Sequence, residues 1–274
     1  MVMLRKMLMV FGIVFVVMPG LTAQTLRTMS FNGATGLYMV PTGYIGWEQA
    51  TGLDLGYHGI INRNSNHLLN LNMSLFQVAE ISLAFDFQNN NYYRAKNDDF
   101  IIGTKIQIPP FNKETSIGIG GNLQVLNMGE RRFDDREFNR LAGGNYVAGQ
   151  LYGAITYRSA FFGSPAETSV VLGKTFYKGM DSSIDFGMGF DVLLIPQYLG
   201  RFFHIIIDFS NFSYSDSPNP RISTHRGILN TGLRLDLSVI PLFDNFKFTI
   251  DALLSDGFDP GRSFSVGAVF GLLL

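Results

Sequence analysis

The sequence predicts an all-β fold, a transmembrane antiparallel up-and-down β-barrel of about 12 strands. The first observation behind this prediction is an alternation of apolar and polar residues with a period of two, which is typical of strands with one apolar face. The second is length, since the alternating segments are close to the roughly 9–11 residues that a tilted strand needs to cross a bilayer. The third is composition, because only 16% of the residues are charged, against about 25% in an ordinary soluble domain.

Residues 1–23 have the order of features found in an export signal. Arg5 and Lys6 form a short positive region, an apolar run extends over 7–18, and Ala23 is a small residue suited to cleavage. The apolar run is short for a membrane helix of about 20 residues, so we expect this signal peptide to be cleaved near Ala23. The chain contains no cysteine, which excludes a lipid-anchored lipoprotein and a disulfide framework.

The charge balance speaks against nucleic acid as a partner. The formal net charge of the whole chain is -1, and it becomes -3 when Arg5 and Lys6 are removed with the signal. No basic patch stands out in the remaining chain. We therefore expect membrane lipids, rather than nucleic acid, to surround the protein.

The barrel is predicted to occupy residues 50–274. Alternation is strictest in 80–88, 183–192 and 229–238, where large apolar residues occupy nearly every second position. The seventh and ninth segments are apolar on both faces, so their pattern is ambiguous. The twelve predicted strands lie near 50–58, 67–76, 79–88, 100–108, 115–125, 147–157, 168–177, 182–193, 202–213, 226–238, 246–254 and 263–273.

The connections between these segments carry a second pattern. Odd-numbered connections, counted from the first strand, are polar and mostly long, and they include 59–66, 89–99 and 213–225. Even-numbered connections are shorter or contain proline, as at 109–114, whereas the seventh connection, 178–181, is a short exception. Long loops at one end and tight turns at the other are typical of outer-membrane barrels, whose termini lie at the turn side.

A soluble sandwich or a lipocalin-like barrel is the alternative, because alternation alone does not say which face is buried. The low charge and the small polar residues of the strands favour the membrane barrel. So do aromatic residues near the predicted strand ends, where interfacial girdles occur. These aromatic residues are Tyr57, Tyr92, Tyr93, Tyr146, Tyr157, Phe161, Phe162, Tyr177 and Tyr198.

The charged residues of the strands set the orientation of the predicted barrel. An arginine that faces lipid at the midplane costs about 2–4 kcal/mol, so Arg234 and the polar face it belongs to should point into the lumen. Acids outnumber bases there, which would favour cations in an open lumen, whereas pairing of the charges would simply stabilise a closed one. The predicted lumen-facing charged residues are Asp54, Glu80, Asp86, Lys105, Asp185, Asp191, Asp208, Arg234, Asp236, Lys247 and Asp251.

A segment rich in glycine precedes the first strand, within a predicted N-terminal region of residues 24–49. Its glycines allow sharp turns, while the apolar run at 37–40 favours burial. We predict that it enters the barrel as a small plug or lid at the periplasmic end, and an edge strand or an interfacial anchor is the alternative. The plug motif consists of Gly33, Thr35, Gly36, Leu37, Pro41 and Thr42.

The last strand resembles the assembly signal of bacterial outer-membrane barrels. A polar residue at Ser265 is followed by Gly267 and then by Phe270 and Leu272, at the spacing that this signal shows. The resemblance implies that the barrel assembly machinery and outer-membrane lipids are partners.

The plug motif itself resembles a stretch at the start of the YjbH-like outer-membrane proteins. Residues 33–37 read GATGL and are followed by Pro41 and Thr42, as in the family's G-x-T-G-L-x-x-x-P-T stretch. The resemblance implies an outer-membrane location, a barrel and a link to exopolysaccharide production. Two features depart from the family: Gly43 stands where alanine is usual, and the chain is short enough for a single barrel only.

The sequence predicts no catalytic residues, no metal site and no cofactor. It lacks G-x-S-x-G, H-E-x-x-H and P-loop motifs, and its histidines are expected at separate places, with His204 facing inward and His58, His67 and His225 at loop junctions. Two functions stay open. One is a narrow channel or export component for small solutes or polysaccharide, and the other is a closed structural or adhesive barrel.

Overall fold

The computed structural model describes ten stretches of the chain, and they contain all twelve predicted strands. The described residues are 27–47, 51–61, 65–90, 95–109, 114–128, 144–177, 184–214, 227–240, 246–257 and 263–274. The predicted signal peptide lies outside them. The strands are β1 (Thr51–Ile61), β2 (Ser65–Leu75), β3 (Ala79–Asn90), β4 (Ala95–Ile108), β5 (Thr115–Met128), β6 (Gly144–Phe161), β7 (Ser164–Tyr177), β8 (Ile184–Leu193), β9 (Phe203–Ser210), β10 (Ile228–Asp236), β11 (Phe246–Ser255) and β12 (Ser263–Leu273).

The strands form one closed antiparallel barrel. Each strand pairs with its neighbours in the chain, and β1 closes the sheet against β12 in a register that runs from Gly52 opposite Leu273 to Ile61 opposite Phe264. Closure gives every strand two partners, so no edge with unpaired backbone groups is left. The prediction of a twelve-stranded up-and-down barrel is confirmed.

The two faces of the sheet are reversed relative to a soluble barrel. In β8, Ile184 is exposed and the even-numbered residues after it are partly exposed on the outer face, whereas Asp185, Gly187 and Asp191 are buried on the inner face. The same alternation leaves Leu151 and Leu172 more than half exposed on the outside. An apolar outer wall around a polar interior is the arrangement of a barrel that sits in hydrocarbon, and the soluble alternative does not fit it.

The connections define two ends of the barrel. At the turn end lie the chain's entry into β1, the end of β12 and the connections that follow even-numbered strands. Two of these are tight hairpins in which both central residues have positive φ, Phe76 with Gln77 and Phe162 with Gly163. Positive φ at both positions is the geometry of the type I′ turn, whose twist matches that of the paired strands. The opposite end is called the loop end.

Aromatic side chains lie on the outer wall near both ends. Tyr57 is 47% exposed near the loop end, while Tyr157, Phe161 and Phe162 are more than half exposed near the turn end. Tyr198 is also exposed there, in the short helix α1 (Pro196–Leu199). Rings at these levels suit the two membrane interfaces. The other four predicted girdle residues have side chains outside the described set.

Several boundaries differ from the prediction at the loop end. β1 and β2 stay paired as far as Ile61 opposite Ser65, and β3 and β4 as far as Asn90 opposite Ala95, so the predicted loops 59–66 and 89–99 are shorter than expected. Backbone pairing continues there without apolar alternation, because a ladder of hydrogen bonds does not depend on side-chain polarity. Sequence patterning therefore underestimates these strands.

Strand β9 was predicted to be longer than it is. It ends at Ser210 rather than at 213, and the chain then turns into the barrel, where Phe212 and Tyr214 are buried. The prediction that 213–225 is a polar connection outside the barrel is thus wrong at its start. The apolar ring faces of Phe212 and Tyr214 pack against each other, with centroids 5.4 Å apart.

Two histidines also lie elsewhere than predicted. His58 is an inner-wall residue of β1 and is buried, and His67 lies on the outer face of β2, where its Nδ1 is 2.7 Å from the hydroxyl of Tyr57. Neither is at a loop junction, because the strands extend past the predicted ends. His225 lies outside the described residues.

The residues of the predicted assembly signal lie on both faces of β12. In β12, Gly267 faces inward beneath the ring of His58, whereas Phe270 and Leu272 lie on the outer face. Phe270 packs against Phe246 of β11 at a ring distance of 5.7 Å.

Within the described stretches, no helix has the length and hydropathy to cross a membrane.

The outer wall yields a prediction about stability in lipid. Leu172→Arg, in the middle of β7, should lower the free energy of unfolding in lipid vesicles by about 2–4 kcal/mol, because a charge would face hydrocarbon. Phe176→Arg, on the same face but near the loop end, is the matched control and should cost about 0–1 kcal/mol beyond the lost ring contacts. Equal costs in denaturant titrations would show that this face does not lie in a bilayer.

Candidate functional site

The interior of the barrel is occupied by residues 27–47, here called the lumen segment. Every residue of the segment is buried. Its only bridges are internal, Met29 with Thr35 and Gly36 with Pro41, so the segment adds no strand to the sheet. The geometry is that of a plug, and an edge strand or an interfacial anchor does not fit it.

The lumen segment folds on itself through two tight turns. In the first, the Ser30 amide donates to the carbonyl of Ala34 at 2.7 Å, and Gly33 takes a φ of 81° that favours glycine. In the second, the Leu37 amide donates to the carbonyl of Val40 at 2.9 Å. A side chain at Gly36 would meet the Val40 carbonyl oxygen at 2.7 Å, so glycine is needed where the arms of this turn meet.

The first attachment to the wall centres on Thr35. Its amide donates to Glu80 Oε1 at 2.9 Å, and its hydroxyl donates to Glu80 Oε2 at 2.5 Å. Lys105, which pairs with Glu80 at 2.9 Å on the neighbouring strand, donates to the Thr35 carbonyl at 3.0 Å. A buried ion pair on the wall thus binds both the donor and the acceptor of one segment residue.

The second attachment is made by Asp208 of β9. Its Oδ2 accepts the amides of Tyr38 at 2.9 Å and Met39 at 2.7 Å, with the amide of Val40 at 3.4 Å. Its other oxygen accepts Asn230 Nδ2 at 2.7 Å. Consecutive amides of a tight turn form a concave donor surface, which suits a single carboxylate.

The third attachment lies near the turn end, where the segment leads toward β1. Trp47 Nε1 donates to Asp54 at 2.8 Å, and Lys247 donates both to Asp54 and to the Gly46 carbonyl at 2.9 Å. The Lys247 ammonium also lies 4.5 Å from the centre of the Trp47 ring. The ring fits because Gly52 is bare, since a Cβ there would be 2.4 Å from it.

Two arginines hold the ring of Tyr44. The guanidinium of Arg27 in the segment lies 4.6 Å from the ring centre, and that of Arg158 on the wall lies 4.7 Å from it. Arg158 pairs with Glu167 at 3.1 Å. Burial raises the pKa of the Tyr44 hydroxyl to about 12, so the ring stays neutral between its cationic neighbours at physiological pH.

Gly43 is fixed between two strands. Its amide donates to Thr156 Oγ1 at 2.8 Å, and its carbonyl accepts the Ser116 hydroxyl at 2.9 Å. A Cβ at this position would lie 2.3 Å from the Ser116 carbonyl oxygen. Glycine is therefore the residue that fits at position 43.

Apolar packing closes the loop-side half of the lumen. Leu37 covers bare Gly189, and both Val40 and the ring of Phe212 lie against Gly187. Beyond them, the Tyr214 hydroxyl donates to Gln150 at 2.7 Å. Burial raises the pKa of Tyr38 and of Tyr214 above the usual value for tyrosine, so both hydroxyls stay protonated.

The segment reaches deeper than a lid at one mouth. It runs from Trp47 near the turn end to Tyr38, whose ring lies 6.2 Å from that of His58 in the loop-side part of β1. One cavity between segment and wall, lined by Arg27, Tyr44 and Glu167 among others, has a volume of about 10 Å³, room for one water molecule. In this state, the described residues fill the lumen.

All eleven charged residues predicted to face the lumen are buried in the barrel. Besides the pairs Glu80 with Lys105 and Asp54 with Lys247, Arg234 and Asp251 form a two-pronged pair at 2.7 and 2.9 Å on adjacent strands. The others form separate contacts. Asp191 lies 2.6 Å from His204, Asp185 accepts Gln150 and Thr175 at 2.7 Å, Asp236 accepts the Ser238 amide at 2.8 Å, and Asp86 lies opposite Asp99 in the sheet.

Sequence reasoning missed several inner-wall residues. Asp99, Glu167 and Arg158 belong to the same inward face, and longer strands would have included them. Tyr214 had no signal in the pattern, because it follows the strand rather than belonging to it. The described stretches contain no group of three or more histidine, cysteine or acidic side chains arranged to hold a metal ion.

Comparison with known proteins finds matches among solved structures. No protein-family profile and no curated protein matches the chain. Among solved structures, the NanC porin has a TM-score of 0.50 at 10% identity and covers 81% of this chain and 100% of its own. The KdgM porin in complex with disordered oligogalacturonate has a TM-score of 0.50 at 9% identity, with coverage of 79% and 98%. LpxR from Salmonella typhimurium reaches 0.47 at 9% identity, with coverage of 81% and 100%.

These similarities concern the path of the backbone. At about one identical residue in ten, they show that the chain has the fold of outer-membrane β-barrels, a class that includes porins.

Gly43 provides a test of the fit between segment and wall. Gly43→Ala should lower the free energy of unfolding by about 1–3 kcal/mol, because the added methyl group meets a backbone oxygen that cannot move without distorting β5. Gly153→Ala is the matched control, since a Cβ at that position meets nothing within 4 Å, and it should stay within about 0.5 kcal/mol of the parent. Denaturant titrations that show no difference would contradict the position of Gly43.

Asp208 provides a test of the second attachment. Asp208→Ala should speed hydrogen–deuterium exchange at the amides of Tyr38 and Met39 by about 10- to 100-fold, because each loses a hydrogen bond to a charged acceptor. Asp185→Ala removes another buried carboxylate, one that accepts Gln150 and Thr175 of the wall, and it should leave those amides protected. Similar protection in both variants would mean that Asp208 does not hold the turn.

Proposed function

We propose that this protein is an outer-membrane β-barrel whose own N-terminal segment closes the lumen, and that it works as a transport or export component when the segment leaves. The apolar outer wall and the barrel fold support the membrane location. The observation that carries the transport proposal is the polar inner wall behind the segment. The expected signal peptide fits the same location.

The inner wall carries polar residues from one end of the barrel to the other, between apolar residues such as Leu68 and Ile101. Asp54 and Lys247 lie near the turn end, Asp208 lies opposite the middle of β8, and Asp185 lies near the loop end. The wall holds the segment by hydrogen bonds and ion pairs, and also by apolar packing in a cluster that joins Leu37 and Val40 of the segment to wall residues such as Leu68 and Ile101. Water can replace the hydrogen bonds, so it would enter a lumen vacated by the segment along the polar residues of the wall.

Two observations bear on the class of solute. The resemblance of residues 33–42 to the YjbH-like proteins implies a link to exopolysaccharide, and one porin of similar fold is described in complex with an oligogalacturonate. Both favour saccharides among the solutes to be tested. The proposal assigns no catalytic step, and the barrel assembly machinery and membrane lipids are its expected partners.

A closed structural or surface barrel is the second candidate. The observation that favours it is the completeness of the plug, since residues 27–47 are all buried and bonded to wall residues on many strands. Such a barrel would expose only its loops to partners and would never conduct.

Conductance in planar bilayers separates the two functions. The full chain should be closed for most of the time, whereas deletion of residues 33–42 should produce stable openings, because the contacts of Thr35 and of 38–40 are lost. Full-length Asp208→Ala should open more often than the parent, with Asp185→Ala as the matched control. Heat-modifiable gel mobility and β-type circular dichroism establish that each variant is folded. A folded deletion variant that does not conduct would favour the closed barrel.

A further inference from the structure

We propose that the lumen, once the segment has left it, selects for cations and excludes polyanions. The inference rests on the proposed transport function and names the charge class of its solute. It follows from the charges of the wall, from how they are paired, and from the chemistry of the segment that occupies the lumen now.

Acidic side chains dominate the described inner wall. It carries ten carboxyl side chains and four lysine or arginine side chains, a formal excess of six negative charges with histidine neutral. The carboxylates are Asp54, Glu80, Asp86, Asp99, Glu167, Asp185, Asp191, Asp208, Asp236 and Asp251, and the cations are Lys105, Arg158, Arg234 and Lys247.

Each of the four cationic side chains forms an ion pair with a carboxylate of the wall. Lys105 pairs with Glu80, Arg158 with Glu167, Arg234 with Asp251 and Lys247 with Asp54, at distances of 2.7–3.1 Å. Each pair lies within the wall and stays there when the segment leaves. A solute in the lumen therefore meets the negative charge of the carboxylates that are not in these four pairs.

Three of these carboxylates are bonded to neutral donors. Asp185 accepts an amide and a hydroxyl of the wall, and Asp236 accepts a backbone amide. Asp208 accepts the amides of the segment and Asn230. They lie on the adjacent strands β8, β9 and β10, from near the loop end to the turn end, and thus form an acidic stripe along the path.

The present occupant of the lumen is itself complementary to the carboxylates of the wall. Residues 27–47 include no acidic side chain, and their single charged side chain is Arg27. The segment meets Asp208 and Glu80 with N–H and O–H donors, and it meets Asp54 with the indole N–H of Trp47. The lumen thus holds a donor-rich, cationic chain, and this observation is independent of the charge inventory.

Removal of the segment leaves Asp208 open to solutes, and this favours cations. Asp208 loses the segment amides that it accepts now and is left with Asn230, so it needs new donors. Water and small cations supply them, whereas an anion meets repulsion that low-dielectric walls focus into the lumen. A polyanion such as oligogalacturonate, which carries a carboxylate on every residue, should be excluded.

The test uses the variant that lacks residues 33–42, in a planar bilayer with a KCl gradient. The reversal potential should have the sign of K⁺ selectivity, with K⁺ several-fold more permeant than Cl⁻. Replacing Asp185, Asp208 and Asp236 by Asn in that variant should reduce the preference markedly, and Asp236→Asn alone should reduce it in part. Asp98→Asn is the matched control, because this exposed residue lies on the outer face of β4 and should not change the selectivity.

The possible failures are distinguishable. A folded deletion variant that never conducts would overturn the proposed transport function. A conducting variant that prefers Cl⁻, or one whose K⁺ preference survives the loss of all three carboxylates, would overturn the selectivity and leave transport intact. Vesicle swelling adds a second readout, in which glucosamine should enter faster than galacturonate.

Discussion

The structure depends on one constraint: polar groups inside a closed barrel need partners. A sheet with a period of two that presents its apolar face to lipid must present its polar face inward. Buried carboxylates without partners would be costly, and the neighbouring strands supply only part of the hydrogen bonds. The lumen segment supplies more of them, since its backbone amides bind Glu80 and Asp208.

The inner wall is shaped for this occupant. Gly52 and Gly271 leave room for the Trp47 ring, and Gly189 leaves room for Leu37, because a Cβ at any of the three would lie closer than 3 Å to the segment. The glycines of the strands thus do more than fit a crowded interior. They form the cavity that accepts one particular chain, which is why the segment belongs to the fold and is not an appendage.

The contacts that attach the segment to the wall differ along the lumen, and this difference bears on the proposed opening of the lumen. Near the turn end, the Trp47 ring, its cation and its carboxylate form a compact anchor next to the covalent link to β1. Farther in, the turn at 37–40 is held by one carboxylate and by apolar contacts with wall glycines and Phe212. In the proposed opening, the deep part of the segment would leave the wall while the anchor stays, and each hydrogen bond to Asp208 would be exchanged for one to water.

The sequence by itself determined the number of strands, their order and the side of the wall on which most of the strand charges lie. Period-two alternation is a local property, so residues such as Arg234 and Asp236 are placed by their immediate neighbours. Tertiary structure decided which groups meet. Lys247 and Asp54 are 193 positions apart, and Asp208 binds amides about 170 positions away. Neither contact leaves a local pattern, and the inward turn of Tyr214 leaves none either. These contacts exist only because closure brings distant strands around one lumen, where shape and hydrogen bonding select the partners.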